Sequence, residues 1–146
     1  KFRSMSNYNN NRNRGRDDNQ NQYPLKTEWI KEGINEDAIT FANNFAKSIS
    51  RSFTTSQFRN FYSEVKRIQL TGIEKMKSDF LLLRPKLAYA AKRQSGRNDG
   101  AMTFQKEIDK ALRSIEMEEE GYQERFKNFC DLLEAILAYH KYHGGK

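Results

Sequence analysis

Apolar residues recur at intervals of three or four from Thr27 to the end of the chain, and this spacing limits the fold more than any other feature of the sequence. No segment alternates apolar and polar residues over the length of a strand, and no unit of about 20–50 residues repeats. The sequence therefore predicts an all-α fold, a compact bundle of five to six helices behind a disordered N-terminal tail.

Capping residues and breaks mark where the helices start and stop. Thr27 is the predicted N-cap of a short helix that carries Trp29 and Ile30. Thr54 and Gln57 have the spacing of a capping box, and Gly72 marks a break after that helix. We expect Pro85 to kink or split the next helix near residues 81–84, because proline removes a backbone donor.

Each predicted helix has an apolar stripe, and residues rich in glycine and polar side chains separate the later helices. Residues 94–100 read as a loop, the following helix is expected to end near residues 118–121, and Gly144-Gly145 ends the last helix. The stripes after Thr27 are Ala38, Phe41, Ala42, Phe45 and Ile49; Phe58, Phe61, Tyr62, Val65 and Ile68; Ile73, Met76, Phe80, Leu83, Leu87 and Ala90; Phe104, Ile108, Ala111, Leu112 and Ile115; and Tyr122, Phe126, Phe129, Cys130, Leu133, Ile136, Leu137 and His140.

The first 26 residues differ in composition from the rest of the chain. They hold seven Asn and four Arg and almost no large aliphatic side chains, so they bury too little apolar surface to offset the entropy of ordering. We predict a disordered basic tail over residues 1–26 and a single helical-bundle domain over residues 27–146.

Positive charge is concentrated in the centre of the chain. The net charge is +7, but residues 49–97 alone carry +8, while residues 27–48 and 98–146 carry −2 and −3. A basic surface of this kind suits a polyanionic partner. Beside acidic flanks it also suits head-to-tail packing of copies of the chain. A solvated surface with uneven charge is the alternative.

The chain has few residues suited to catalysis or to metal binding. Cys130 lies on an apolar stripe, and zinc would need four converging ligands, so we interpret it as a buried thiol and His140 and His143 as surface imidazoles. The glutamates of residues 116–120 read as a solvated acidic face. We expect no enzyme activity, catalytic residue, metal or cofactor.

The sequence also predicts that the chain does not span a membrane. No apolar run reaches the length of about 18 residues that a transmembrane helix requires. With a single cysteine no internal disulfide can form, which fits a reducing cytoplasm. We therefore expect a cytoplasmic protein without a membrane partner.

Basic residues of the centre fall on two helices at spacings of one or two turns. Arg59 and Lys66 share a stripe, with Arg67 one residue further round, while Lys86, Tyr89 and Arg93 line another. Cations at this spacing can reach successive phosphates of a nucleic acid. Because phosphate contacts read no bases, we expect no sequence preference. Exposed cations without a partner are the alternative.

Three blocks of this chain resemble the small subunit of the Csm complex, the type III-A CRISPR effector. They are residues 54–61 (TTSQFRNF, running on to Lys66-Arg67), residues 83–93 (LRPKLAYAAKR) and residues 129–146 (FCDLLEAILAYHKYHGGK). One departure is Lys92, which stands before Arg93 where the family usually has Gly, so the helix is expected to continue, toward Gly96.

The resemblance implies a non-catalytic subunit of an RNA-guided antiviral complex, whose copies stack into a short filament beside other Csm subunits. That filament lines the channel where target RNA pairs with CRISPR RNA and contacts RNA phosphates. Thr54 and Gln57 read as capping residues, with a role at the RNA as the weaker alternative. The rival function is a helical protein–protein adaptor that touches no nucleic acid. Carried over by motif position, the RNA-binding residues are Arg59, Lys66, Arg67, Lys86 and Arg93, with Arg84 and Arg97 added.

Overall fold

The computed structural model describes residues 24–94 and 100–145, and these residues form six helices and no strand. The predicted all-α class and helix number are confirmed. Residues 1–23 of the proposed tail and residues 95–99 of the proposed loop lie outside the described residues. The helices are α1 Glu28–Lys31, α2 Glu36–Ile49, α3 Thr55–Thr71, α4 Lys77–Gln94, α5 Gly100–Ser114 and α6 Tyr122–Tyr142.

Helix α6 lies at the centre of the packing. It contacts α1, α2, α3 and α5, while α4 packs mainly on α3 and α5 and reaches α6 through the ring of Phe80, 5.7 Å from that of Phe126. Twenty-one residues give α6 a length of about 31 Å, enough to span the whole bundle. Its predicted stripe is confirmed, since Phe129, Leu133 and Ile136 are each at most 1% exposed.

A cluster of phenylalanines joins α2, α3 and α5 beneath the surface. The ring of Phe104 lies 4.5 Å from Phe53, 4.9 Å from Phe58 and 6.3 Å from Phe45, centroid to centroid. Phe61 meets Phe104 edge to face at 5.7 Å. Ring pairs at these separations add favourable contacts beyond simple burial, so they fix how α3 sits on the core.

The short helix α1 is held by buried contacts to α6. Trp29 and Ile30 are buried as predicted, and Asn128 Nδ2 donates a 2.8 Å hydrogen bond to the Ile30 carbonyl. Thr27 occupies the N-cap position, but its side chain makes no capping hydrogen bond. Four residues form only one turn of helix, so α1 depends on these tertiary contacts rather than on its own cap.

Two details of α4 differ from expectation. The helix is not split at Pro85 but continues from Lys77 to Gln94, past Lys92 and Arg93 as the sequence predicted. Both Pro85 and Leu81 are exposed, so the Leu81 carbonyl that loses its donor can bond to water. Ala90, predicted to be buried, is exposed, and Ala91 at 3% exposure takes its place four residues after Leu87.

The prediction that α5 ends near residues 118–121 is wrong. It ends at Ser114, and Glu116 adopts a left-handed backbone with φ of +52°. The Arg125 guanidinium holds the turn that follows, with donor–acceptor distances of 2.7 to 3.2 Å. Its four acceptors are the carbonyls of Ile115, Glu116, Glu119 and Glu120. This replacement of helical hydrogen bonds by one side chain explains the early end.

His140 is not the surface imidazole we expected. It is fully buried, and its Nε2 donates a 2.7 Å hydrogen bond to the Phe53 carbonyl. Gly145 packs directly on the imidazole ring and donates from its backbone N–H to the His140 carbonyl, while its own carbonyl accepts from Thr55 Oγ1 at 2.7 Å. His143, half-buried, hydrogen-bonds Asn43 Oδ1 at 2.6 Å.

No helix of the described residues has both the length and the apolar character needed to cross a membrane.

Replacing Arg125 by Met should lower the free energy of unfolding by about 1–3 kcal/mol, because several carbonyls lose a charged donor. Urea denaturation measures the change. The control is Lys127→Met on the same helix, whose exposed ion pair with Asp131 should matter little. Equal urea midpoints for both variants and the wild type would contradict this role of Arg125.

The burial of His140 makes stability depend on pH. Burial lowers the pKa of His140 below its usual 6.5, so the unfolded chain binds this proton more readily than the folded one. The free energy of unfolding should therefore fall as pH drops below about 6.5, by at most about 1.4 kcal/mol per pH unit from this group. Urea titrations at several pH values should show a shallower slope in His140→Gln than in the wild type, and equal slopes would contradict this role of His140.

Candidate nucleic-acid interface

The capping box that we predicted at the start of α3 is present. Thr54 Oγ1 accepts from the Gln57 backbone N–H at 3.1 Å, and Gln57 Oε1 accepts from the Thr54 N–H at 2.7 Å. These bonds confirm Thr54 and Gln57 as capping residues. With Phe58, Val65 and Ile68 turned into the core, the basic residues of α3 must project outward.

Arg59 and Lys66 lie on the flank of α3 that faces α6. They are seven residues apart and so share one stripe. The Arg59 guanidinium is exposed and pairs with no carboxylate in the part of the chain that the structure describes. Lys66 is half-buried and donates to Gln69 Oε1 at 3.3 Å. Its positive charge acts on the Cys130 thiol of α6, which locates this flank.

Arg67, one residue round, belongs to an ion-pair network between α3 and α4. Its guanidinium lies 3.1 Å from a Glu64 oxygen and 3.8 Å from a carboxylate oxygen of Asp79. Lys86 Nζ reaches the same Glu64 oxygen at 3.9 Å. The hydrogen bond from Arg67 lowers the pKa of Glu64, which therefore stays ionised between the two cations.

Lys86 and Arg93 project from α4 on the side of α3, as their shared stripe predicted. The Arg93 guanidinium lies 5.8 Å from the centre of the Tyr89 ring, in the range of a cation–π contact. Among the described residues no carboxylate pairs with Arg93. Tyr89 itself is 65% exposed, so this pair presents both a charge and an aromatic face to solvent.

The other two candidates on this part of the chain do not join these residues. Arg84 turns toward α5 and donates to Asp109 Oδ1 at 2.8 Å, and Arg113 shares that carboxylate at 3.3 Å. A cation held this way is already neutralised. Arg97 lies outside the described residues.

A groove of about 310 Å³ separates α3 from α4. Phe61, Leu83 and Leu87 form part of its apolar floor, and Lys86 and Arg93 stand at one wall. Opposite them lie residues that the sequence did not single out as contact residues, Asn60 and Glu64, together with the capping Gln57. The sequence could not identify these residues as part of the site, because they meet Lys86 and Arg93 only when α3 packs against α4.

The predicted RNA-binding residues therefore lie on separate faces of the bundle. Arg59 and Glu64 differ by about 140° around α3, so Arg59 and Lys66 lie away from the groove that Lys86 and Arg93 line. Arg59 and Arg93, neither of which pairs with a carboxylate among the described residues, lie on the two sides of α3. Chemically, this arrangement offers phosphate contacts on two flanks of one helix.

Cys130 is poorly suited to nucleophilic chemistry. It is 6% exposed, and burial, helped by the negative charge of Asp131, raises the pKa of its thiol to about 12. Because the thiolate is the reactive form, the side chain is inert at neutral pH. No group of three or more potential ligands that could hold a metal occurs among residues 24–94 and 100–145.

Comparison with known families gives one match. A family model described as Csm2 Type III-A matches residues 33–146 of the chain. The match takes in α2 to α6 and all three sequence blocks that carry the resemblance described above. No curated protein and no solved structure matches the chain. The family match supports membership in the family, and the fold described above gives the positions of the candidate residues.

The native thiol of Cys130 should react with a disulfide reagent such as DTNB far more slowly than the same thiol in the urea-unfolded chain. The rate in the folded protein should still be rising at pH 10, because the buried thiol has a pKa of about 12, whereas the rate in the unfolded chain should level off above the ordinary thiol pKa of about 8.5. Absorbance of the released thiolate follows the reaction. Fast labelling of the folded protein would contradict the burial of Cys130.

Proposed function

The chain belongs to the Csm2 family of type III-A CRISPR systems, and from this premise we propose that it binds RNA through phosphate contacts, without sequence preference and without catalysis of its own. It is a small subunit of a multi-subunit Csm complex. The finer role we propose is that it lines the channel in which the guide, the CRISPR RNA, pairs with target RNA during antiviral defence in the cytoplasm.

One observation carries this proposal: cations on α3 and α4 are exposed without being neutralised. In the described part of the chain, neither Arg59 nor Arg93 pairs with a carboxylate, whereas Arg67 and Arg84 do. An unpaired arginine can exchange a condensed counterion of RNA for its own charge without first breaking an ion pair. The segment that holds these residues, 49–97, also carries most of the positive charge.

The absence of a base-reading element in the sequence supports binding without sequence preference. The candidate cations are Arg and Lys on helix flanks, and their spacing of one or two turns matches successive phosphates rather than base edges. We therefore assign Arg59, Lys66 and Arg93 as the principal contacts, while Arg67, Arg84 and Lys86 contribute only after releasing their carboxylates.

Stacking of copies is the second part of the proposal. Glu118, Glu119 and Glu120 are exposed at the α5–α6 turn and do not line the groove between α3 and α4. Opposite charges on different faces of one chain favour a heterologous, head-to-tail contact, which extends into a filament unless it closes. Contacts of this kind would place the basic faces of successive copies along one RNA.

Replacing Arg59 and Arg93 together by Ala should weaken retention of target RNA by the assembled complex. Loss of two phosphate contacts should reduce the slope of log affinity against log salt by about 1.4 on a single strand. Filter binding at several salt concentrations measures both quantities, and unrelated RNA sequences should be affected equally.

The charge-matched control is Lys31→Ala with Arg113→Ala, which removes two exposed cations outside the proposed surface. Unchanged affinity and slope in the Arg59/Arg93 variant would contradict the proposal. If the wild-type complex also retained RNA independently of this chain, the protein–protein adaptor would be the better description.

A further inference from the structure

The groove between α3 and α4 has a composition that phosphate binding alone does not explain. Its floor is apolar, formed in part by Phe61, Leu83, Leu87 and Ala90. A phosphate gains nothing from such a floor, because burying a charge there costs hydration without returning hydrogen bonds. A flat aromatic ligand, in contrast, gains from both the burial and the neighbouring ring.

The charge inside the groove also excludes a phosphate. Glu64 lines the wall and stays ionised because Arg67 hydrogen-bonds it at 3.1 Å. A phosphate placed beside this carboxylate would be repelled. Lys86 Nζ lies 3.9 Å from a Glu64 oxygen, so Arg93 at the edge of the groove is the positive group there that has no carboxylate partner among the described residues. The arrangement therefore suits a ligand with a neutral ring inside and a negative group at the edge.

We propose that this groove takes up one unstacked RNA base, whose flanking phosphate lies against Arg93. This inference rests on the proposed function, since it assumes that the chain meets RNA, and it adds a base contact to the phosphate contacts. The volume of about 310 Å³ limits the occupant to roughly a single nucleotide.

The polar groups in the wall are compatible with any base. Gln57 uses its Oε1 to cap α3, which leaves its amide N–H₂ as a donor. Asn60, exposed and one turn from Gln57, offers both a donor and an acceptor. Stacking on an apolar floor tolerates every base, so the groove adds affinity without choosing a sequence.

A groove-filling substitution that leaves every charge in place tests the inference. Ala90→Leu adds bulk in the groove at an exposed position. Ala88→Leu is the matched control, because Ala88 is exposed on the same helix and does not line the groove. Asn60→Leu provides a second variant on the opposite wall. Urea midpoints establish that each variant is folded.

The probes are a uridine oligoribonucleotide and a strand of equal length that lacks bases, titrated against the full chain by fluorescence anisotropy. The wild type should bind the uridine strand about tenfold more tightly than the abasic one. Ala90→Leu and Asn60→Leu should lose this difference, bind the abasic strand as the wild type does, and keep the wild-type salt slope. Ala88→Leu should behave as the wild type.

Wild-type affinity of both groove variants for the uridine strand would overturn the inference while leaving the proposed phosphate contacts intact. Equal losses on both strands would also overturn it, because the backbone would then occupy the groove. The inference would also be overturned if the groove variants bound RNA like the wild type but failed to assemble with other subunits. The groove would then bind a protein rather than a base. The phosphate contacts are tested separately, by the slope of log affinity against log salt in the Arg59/Arg93 variant.

Discussion

Burial of one long helix determines where the rest of this chain can go. Helix α6 packs against α1, α2, α3 and α5 and buries one face along its length, which leaves a strip with Lys127, Glu134 and Lys141 exposed. Helix α4 contacts only α3 and α5 among its larger contacts and stays at the periphery. The outer sides of α3 and α4 carry much of the basic segment of the chain, and they form the candidate surface for a partner.

Helix periodicity and capping signals predicted most of this fold. The stripes on α2 and α6, the capping box at Thr54 and the break at Gly72 were all readable, since each depends on neighbours within one or two turns. The early end of α5 could not be predicted from neighbouring residues. The carbonyls after Ser114 accept hydrogen bonds from the Arg125 side chain instead of from helical N–H groups, and Arg125 lies ten residues beyond Ile115. The burial of His140 likewise depends on the Phe53 carbonyl, 87 residues distant in the chain.

The candidate surface was predictable in composition but not in arrangement. Sequence spacing identified Lys86 and Arg93 as one stripe, and the structure agrees. Spacing could not tell that Arg67 meets Glu64 and Asp79, nor that Arg84 turns to Asp109, because those pairs depend on how neighbouring helices pack. Exposed ion pairs contribute little to stability, so no strong signal in the sequence marks them.

The position of Glu64 between Arg67 and Lys86 has a consequence for how an anion would arrive there. Both cations already have a negative neighbour, so a phosphate reaching them substitutes one anion for another instead of adding to a bare charge. The net release of ions is then smaller than the number of cations in contact. On such a surface, a count of basic residues overstates the electrostatic gain, and the carboxylate makes the contact easy to reverse.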